Sequence, residues 1–155
     1  MEKQIVTFLI ANEEYGIDIL KVKEIIRMQD IVNLPESSDY VKGVIDLRGE
    51  IIPVIDMRIK FGLATQEYSE DTKIIIIEFE ENNLIGLIVD AVSQVLRINE
   101  EEIESPPLTL SEDALKFING IAKLNDRIII LLKIDKILST DEIVALKNIA
   151  ENIKN

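Results

Sequence analysis

Apolar residues along this chain come in short runs divided by small polar breaks, the pattern of β-strands joined by tight turns rather than of long helices. The clearest case is Tyr40 to Arg58. Val44 to Leu47 leads in, Ile51 to Ile55 leads out, and Asp46, Arg48, Gly49 and Glu50 form the polar break. Gly49 supplies the backbone freedom that a tight hairpin turn needs. Pro53 has no N–H for a ladder, so the second strand is expected at an edge or a bulge there. An arginine is thereby held on a hairpin tip above an apolar body.

The pattern returns. Phe117 to Leu132 lines up on this hairpin without a gap, Gly43 falling on Gly120 and Asn125-Asp126 taking the place of Arg48-Gly49. Leu9 to Ile17, read as strand, polar turn and strand, falls on Phe79 to Leu87, with Gly16 on Gly86. That alignment continues through Val22 to Arg27 over Val92 to Arg97. Segments repeating in the same order are a fold-level signal. They predict one β unit duplicated into two similar small barrels.

Between these landmarks the chain reads as follows. Ile5 to Ile10 is a strand and Glu13 to Ile17 its hairpin partner. Asp18 suits the N-cap of a short helix near Ile19. Periodicity leaves Val22 to Arg27 open as the end of that helix or a strand. Leu34 to Asp39 is a turn-rich loop, Phe61-Gly62-Leu63 closes the first unit, and Ala64 to Asp71 is a polar connector. Lys73 to Phe79 is almost unbroken in its apolar residues, which implies burial on both faces and a place where the two units meet. Asn99 to Glu102 is acidic and solvated, Ser105-Pro106-Pro107 is a loop, and Ser111 caps a turn of helix. Ser139 with Glu142 forms a capping box, and Ile143, Leu146, Ile149, Ala150 and Ile153 line one face of a C-terminal helix.

Composition removes most chemistry. Among 155 residues there is no cysteine and no histidine, so disulfides, thiolate nucleophiles and the commonest general base and metal ligand are all missing. The glycines form neither a dinucleotide fingerprint nor a P-loop. Asp46, Glu50 and Asp56 lie near one hairpin and leave a carboxylate hydrolase as a remote rival, but with 29 acidic residues such neighbours arise by chance. The net charge of −12 opposes phosphate backbones and anionic lipid, and acids interrupt the basic trio Lys21, Lys23 and Arg27. No apolar run approaches the roughly 20 residues of a membrane span, and Met1-Glu2-Lys3-Gln4 leads directly into a strand. A cytoplasmic protein without metal or other cofactor is expected. Duplicated barrels without pocket chemistry suit a binding module that bridges partners.

Glu13 to Ile25 and Lys42 to Arg58 strongly resemble the CheW family, the bacterial chemotaxis coupling proteins, and the likeness covers nearly the whole chain. Asp46 is one departure, where the family often has asparagine; both residues suit a turn. The resemblance implies a mainly β fold of two pseudo-repeated five-stranded SH3-like barrels packed together, with short helices and a C-terminal helix. The first barrel is expected mostly over 15–66, the second mostly over 72–138 with a contribution from 1–14, and the helix over 139–155, within a single CheW-like domain. The implied function is a non-enzymatic adaptor between the cytoplasmic tips of chemoreceptors and the histidine kinase CheA. Receptor contact is implied around Val22, Glu24, Gly43, Arg48 and Val95, and kinase contact mainly on the second barrel. A stand-alone piece of CheA or of CheV is the close rival; the length of the chain, with no kinase, phosphotransfer or receiver segment attached, argues against both.

Overall fold

A computed structural model describes residues 2–34, 40–80, 83–107, 116–137 and 148. Eleven strands dominate them: β1 (Glu2–Ile10), β2 (Glu13–Asp18), β3 (Val22–Arg27), β4 (Val41–Leu47), β5 (Glu50–Asp56), β6 (Lys73–Glu80), β7 (Asn83–Val89), β8 (Ala91–Asn99), β9 (Ile103–Glu104), β10 (Ile118–Leu124) and β11 (Arg127–Leu132). Two four-residue helices, α1 (Met57–Lys60) and α2 (Ile134–Ile137), follow β5 and β11. Val22–Arg27, left open by periodicity, is a strand. The expected C-terminal helix and the turn begun at Ser111 fall outside the described residues, apart from Lys116, Phe117 and Asn148, which are helical.

The fold is mainly β and visibly duplicated. One sheet has the order β8-β1-β2-β11-β10-β9 and the other β3-β6-β7-β5-β4. The sheets do not follow the order of the repeats. Hairpin β6–β7 joins β3, β4 and β5, while hairpin β1–β2 joins β8, β10 and β11. Each repeat therefore gives its first hairpin to the other repeat's sheet. Only Ile19–Lys21 separates β2 from β3, and Asp90 alone separates β7 from β8. At both links the chain passes from one sheet to the other.

The exchange keeps its register. Gly16 of β2 lies beside Leu131 of β11 in a parallel pair, and Gly86 of β7 lies beside Val54 of β5 in another. Ladder irregularities repeat as well. Lys23 is skipped between β3 and β6, and Ser93 between β8 and β1. Lys42 is skipped in the β4–β5 hairpin and Asn119 in the β10–β11 hairpin. The sixth strand of the larger sheet, β9, pairs with Ile121 and Ala122, and its counterpart is the isolated bridge from Val32 to Val44.

Burial follows the two-residue period of the strands. Ile74 and Ile76 enter the core of the five-stranded sheet, whereas Ile75 and Ile77 enter a larger core shared by both sheets. The apolar run of β6 is thus buried on both faces at the junction of the units, as its composition implies. The shared core also takes Phe8 and Ile17 from one sheet and Ile55 and Leu87 from the other. Across it runs an aromatic row in which the Tyr15, Phe61 and Phe117 rings are each 5.4 Å from the next. Pro53 departs from expectation, since β5 lies between β4 and β7 rather than at an edge. Parallel pairing to β7 begins only at Val54, so the proline sits just before that ladder.

Candidate partner-binding site

Leu47 opposes Glu50 across the β4–β5 hairpin, leaving Arg48 and Gly49 as a two-residue turn. Both have positive φ, 52° and 86°, as the primed turns favoured in hairpins require. Asp46 fixes the turn by accepting from the Gly49 N–H at 2.8 Å. Its backbone carbonyl accepts from the Gln29 amide at 3.0 Å. The turn projects the Arg48 guanidinium into solvent, where its Nη2 donates to Oε1 of Glu24 on β3. The Arg48 side chain is 72% exposed and that of Glu24 35%. The hydrogen bond to Glu24 and its charge hold the Arg48 pKa above the usual guanidinium range.

The other expected contact residues divide into three situations. Val22 begins β3, is half-buried and packs on the shared core. Gly43 is buried, and its backbone has φ of 151°. A Cβ there would overlap the carbonyl of Val32, which exchanges two hydrogen bonds of 2.9 Å with Val44. Gly43 thus serves the backbone. Val95 lies on β8 in the other sheet, opposite Val6, and is 52% exposed. Glu24 and Arg48 are therefore the two residues of the set joined by a direct bond.

Next to that bond the surface is concave. Leu47, Ile76 and Leu84 form an apolar floor, and Lys23, Glu50 and Glu78 join the ion pair around the rim. Lys23 pairs with Glu78 at 3.0 Å. No local pattern in the chain marks this hollow apart from Glu78, which interrupts the isoleucine run of β6. Leu20, between β2 and β3, is 87% exposed.

The pseudo-equivalent place on the larger sheet has different chemistry. The counterpart of Glu24 is Gln94, and that of Arg48 is Asn125. The arginine there comes instead from the strand: Arg127 donates to Glu14 on β2. The Gln94 amide, turned to present its oxygen, accepts from the same guanidinium at 2.7 and 2.8 Å. Two related frames thus carry different polar groups.

The carboxylates that left a hydrolase open are dispersed. Asp46 is engaged in the turn, while Asp56 stands at the far end of β5, capping α1 through the Arg58 N–H at 2.9 Å and accepting from the Tyr68 hydroxyl at 2.9 Å. Burial and the Asp56 charge push the Tyr68 hydroxyl well above its usual range, so it remains a donor.

This architecture, with two exchanged sheets and diverged polar tips on a duplicated frame, defines a β-rich binding module with two related surfaces. A CheW-like domain model matches residues 4–142, and the chain belongs to the CheW family. Its relatives include the chemotaxis protein CheW of Klebsiella aerogenes, 37% identical over 97% of this chain and 90% of that protein. The CheW of Helicobacter pylori is 35% identical over 89% of this chain and 82% of that one. The crystal structure of the scaffolding protein TtCheW from Thermoanaerobacter tengcongensis superposes with a TM-score of 0.82 at 42% identity, covering 92% of this chain and 91% of that one. The chain is thus a chemotaxis scaffold, not an enzyme. No helix among the described residues is long and apolar enough to cross a membrane.

Proposed function

We propose that this scaffold couples the cytoplasmic tips of chemoreceptors to the histidine kinase CheA, working in the cytoplasm at membrane-bound receptor arrays. The observation that carries the reading is the exposed Glu24–Arg48 bond. It gathers two of the residues implied in receptor contact at one hairpin tip, where neither is needed to fill the core. Val22 lies two positions from Glu24 on the same strand, Gly43 shapes β4, which leads into the Arg48 turn, and Val95 extends the receptor surface onto the larger sheet. The kinase is assigned to the larger sheet, whose Arg127–Glu14–Gln94 cluster replaces the Glu24–Arg48 chemistry. Partners of one duplicated frame are then told apart by the residues at its tips rather than by its backbone.

The test is size-exclusion chromatography of the chain mixed with a receptor-tip fragment and the regulatory domain of CheA. A coupling scaffold gives a ternary complex, and two mutually exclusive binary complexes would refute the coupling reading. Arg48→Glu, with circular dichroism to confirm folding, should remove the receptor fragment from the complex and leave the kinase domain bound. Arg48 is a better probe than Val22 because Val22 packs on the shared core.

A further inference from the structure

The hollow beside Glu24 and Arg48 measures about 390 Å3, near the small end of the roughly 300–1,000 Å3 of ligand pockets. Its floor is continuous with a packed core: Ile76 is buried, and Leu47 and Leu84 lie against the same cluster. Its rim carries the carboxylates Glu24, Glu50 and Glu78 against the cations Lys23 and Arg48. Two of those carboxylates are engaged, Glu78 by Lys23 and Glu24 by Arg48. Among the described residues no hydrogen bond or ion pair engages the Glu50 carboxylate, which adds only a longer-range attraction to Arg48.

We propose that this groove takes a segment of the receptor tip that lays a large apolar side chain on the Leu47–Ile76–Leu84 floor and brings a lysine or arginine to Glu50. The inference rests on the coupling reading above and makes Glu50 a specificity-determining residue of that site. A partner covering the rim removes water from Glu50, and a carboxylate stripped of water must be compensated by an opposite charge or hydrogen-bond donors. An acidic segment meets the excess of rim carboxylates and the chain's net charge of −12, which repels it before contact. The apolar floor gives no reward to a purely charged ligand, so the occupant needs both features side by side.

The experiment is calorimetric titration of the full chain with a soluble receptor-tip fragment and, separately, with the CheA regulatory domain, for the wild type, Glu50→Gln, Glu50→Lys and Arg48→Glu. Glu50 is exposed beside a surface turn, so these changes leave the core untouched, and circular dichroism checks this. Glu50→Lys should weaken the receptor fragment about tenfold or more, the size of effect expected from inverting one close charge pair, with Glu50→Gln between it and the wild type and kinase binding unchanged. A single lysine or arginine to glutamate change in the receptor fragment should restore binding to Glu50→Lys. If both Glu50 variants bind like the wild type while Arg48→Glu weakens receptor binding, the groove assignment is wrong and the coupling site stands. If Arg48→Glu is also silent, the coupling site itself is misplaced. Tighter receptor binding by Glu50→Lys, or a loss confined to the kinase domain, equally overturns the inference.

Discussion

Arg58 grips Asp90 with two nitrogens, Nε at 2.9 Å and Nη2 at 2.6 Å from its carboxylate oxygens. Arg58 belongs to α1, which follows β5 of the smaller sheet, and Asp90 is the single residue between β7 and β8 where the chain crosses to the larger sheet. Asp90 also accepts from the Ala11 N–H in the β1–β2 turn at 2.8 Å, and its own N–H donates to the Leu9 carbonyl at 3.0 Å. One carboxylate thus ties both sheets at their crossing. Burial alone would raise its pKa, but the Arg58 hydrogen bond and the Ala11 N–H outweigh burial and hold it below the usual carboxylate value.

Asp90→Asn should therefore destabilise the fold by about 1.5–3 kcal/mol at neutral pH, the usual worth of hydrogen bonds to a charged group. Because the folded pKa is depressed, this stability is present above the unfolded pKa of about 3.9 and is lost as pH falls through the folded value. Urea midpoints of wild type and variant should converge as pH drops below that point. A gap that stays constant from pH 7 to pH 3 would contradict the linkage.

The Glu24–Arg48 bond is exposed and predicts the opposite behaviour. Solvent and salt screen such pairs, so each contributes little to folding. Arg48→Glu should leave the melting temperature nearly unchanged while receptor binding falls about tenfold or more, as for a central contact residue. A double-mutant cycle with Glu24→Gln, read by binding, should show coupling between the two; additive effects would mean that they act separately.

Gly43→Ala should cost about 1–3 kcal/mol through its backbone strain and break the strand crossing at Val32. Hydrogen exchange reads this directly. The Val44 amide, which donates to Val32 at 2.9 Å, should lose protection, whereas amides in the β1–β8 pair should not. Gly120→Ala on the larger sheet should act by crowding alone, since an added Cβ would come 2.5 Å from the Ile103 side chain and 2.9 Å from the Glu104 carbonyl.

The exchanged hairpins predict that the connector is dispensable as a covalent link. A protease site placed between Ala64 and Thr65, in an exposed stretch, should give two fragments that co-elute under native conditions and separate only in denaturant. Each sheet contains strands from both fragments, and the shared core contains side chains from both. Fragments that part on cutting would show that the exchange contributes little to cohesion.

What the sequence by itself determined is local. Alternation of apolar residues, the Arg48-Gly49 turn, the double-sided run of β6 and the match of Gly43 to Gly120 all depend on residues close in the chain, where side-chain period and turn chemistry leave a readable trace. The likeness of Glu13–Ile25 and Lys42–Arg58 to one family rests on the same stretches. Which hairpin joins which sheet is another matter. In a duplicated chain, hairpin β1–β2 finds nearly the same edges in either unit, so a tandem and an exchanged arrangement satisfy the same pattern. The tertiary structure decided between them, because β3 pairs with β6 and β8 with β1, contacts between distant stretches that leave no local trace in the chain. It also decided the groove: Lys23 of β3, Glu50 of β5 and the β6–β7 pair Glu78 and Leu84 come from three separate stretches of the chain, and only sheet pairing sets them around one hollow.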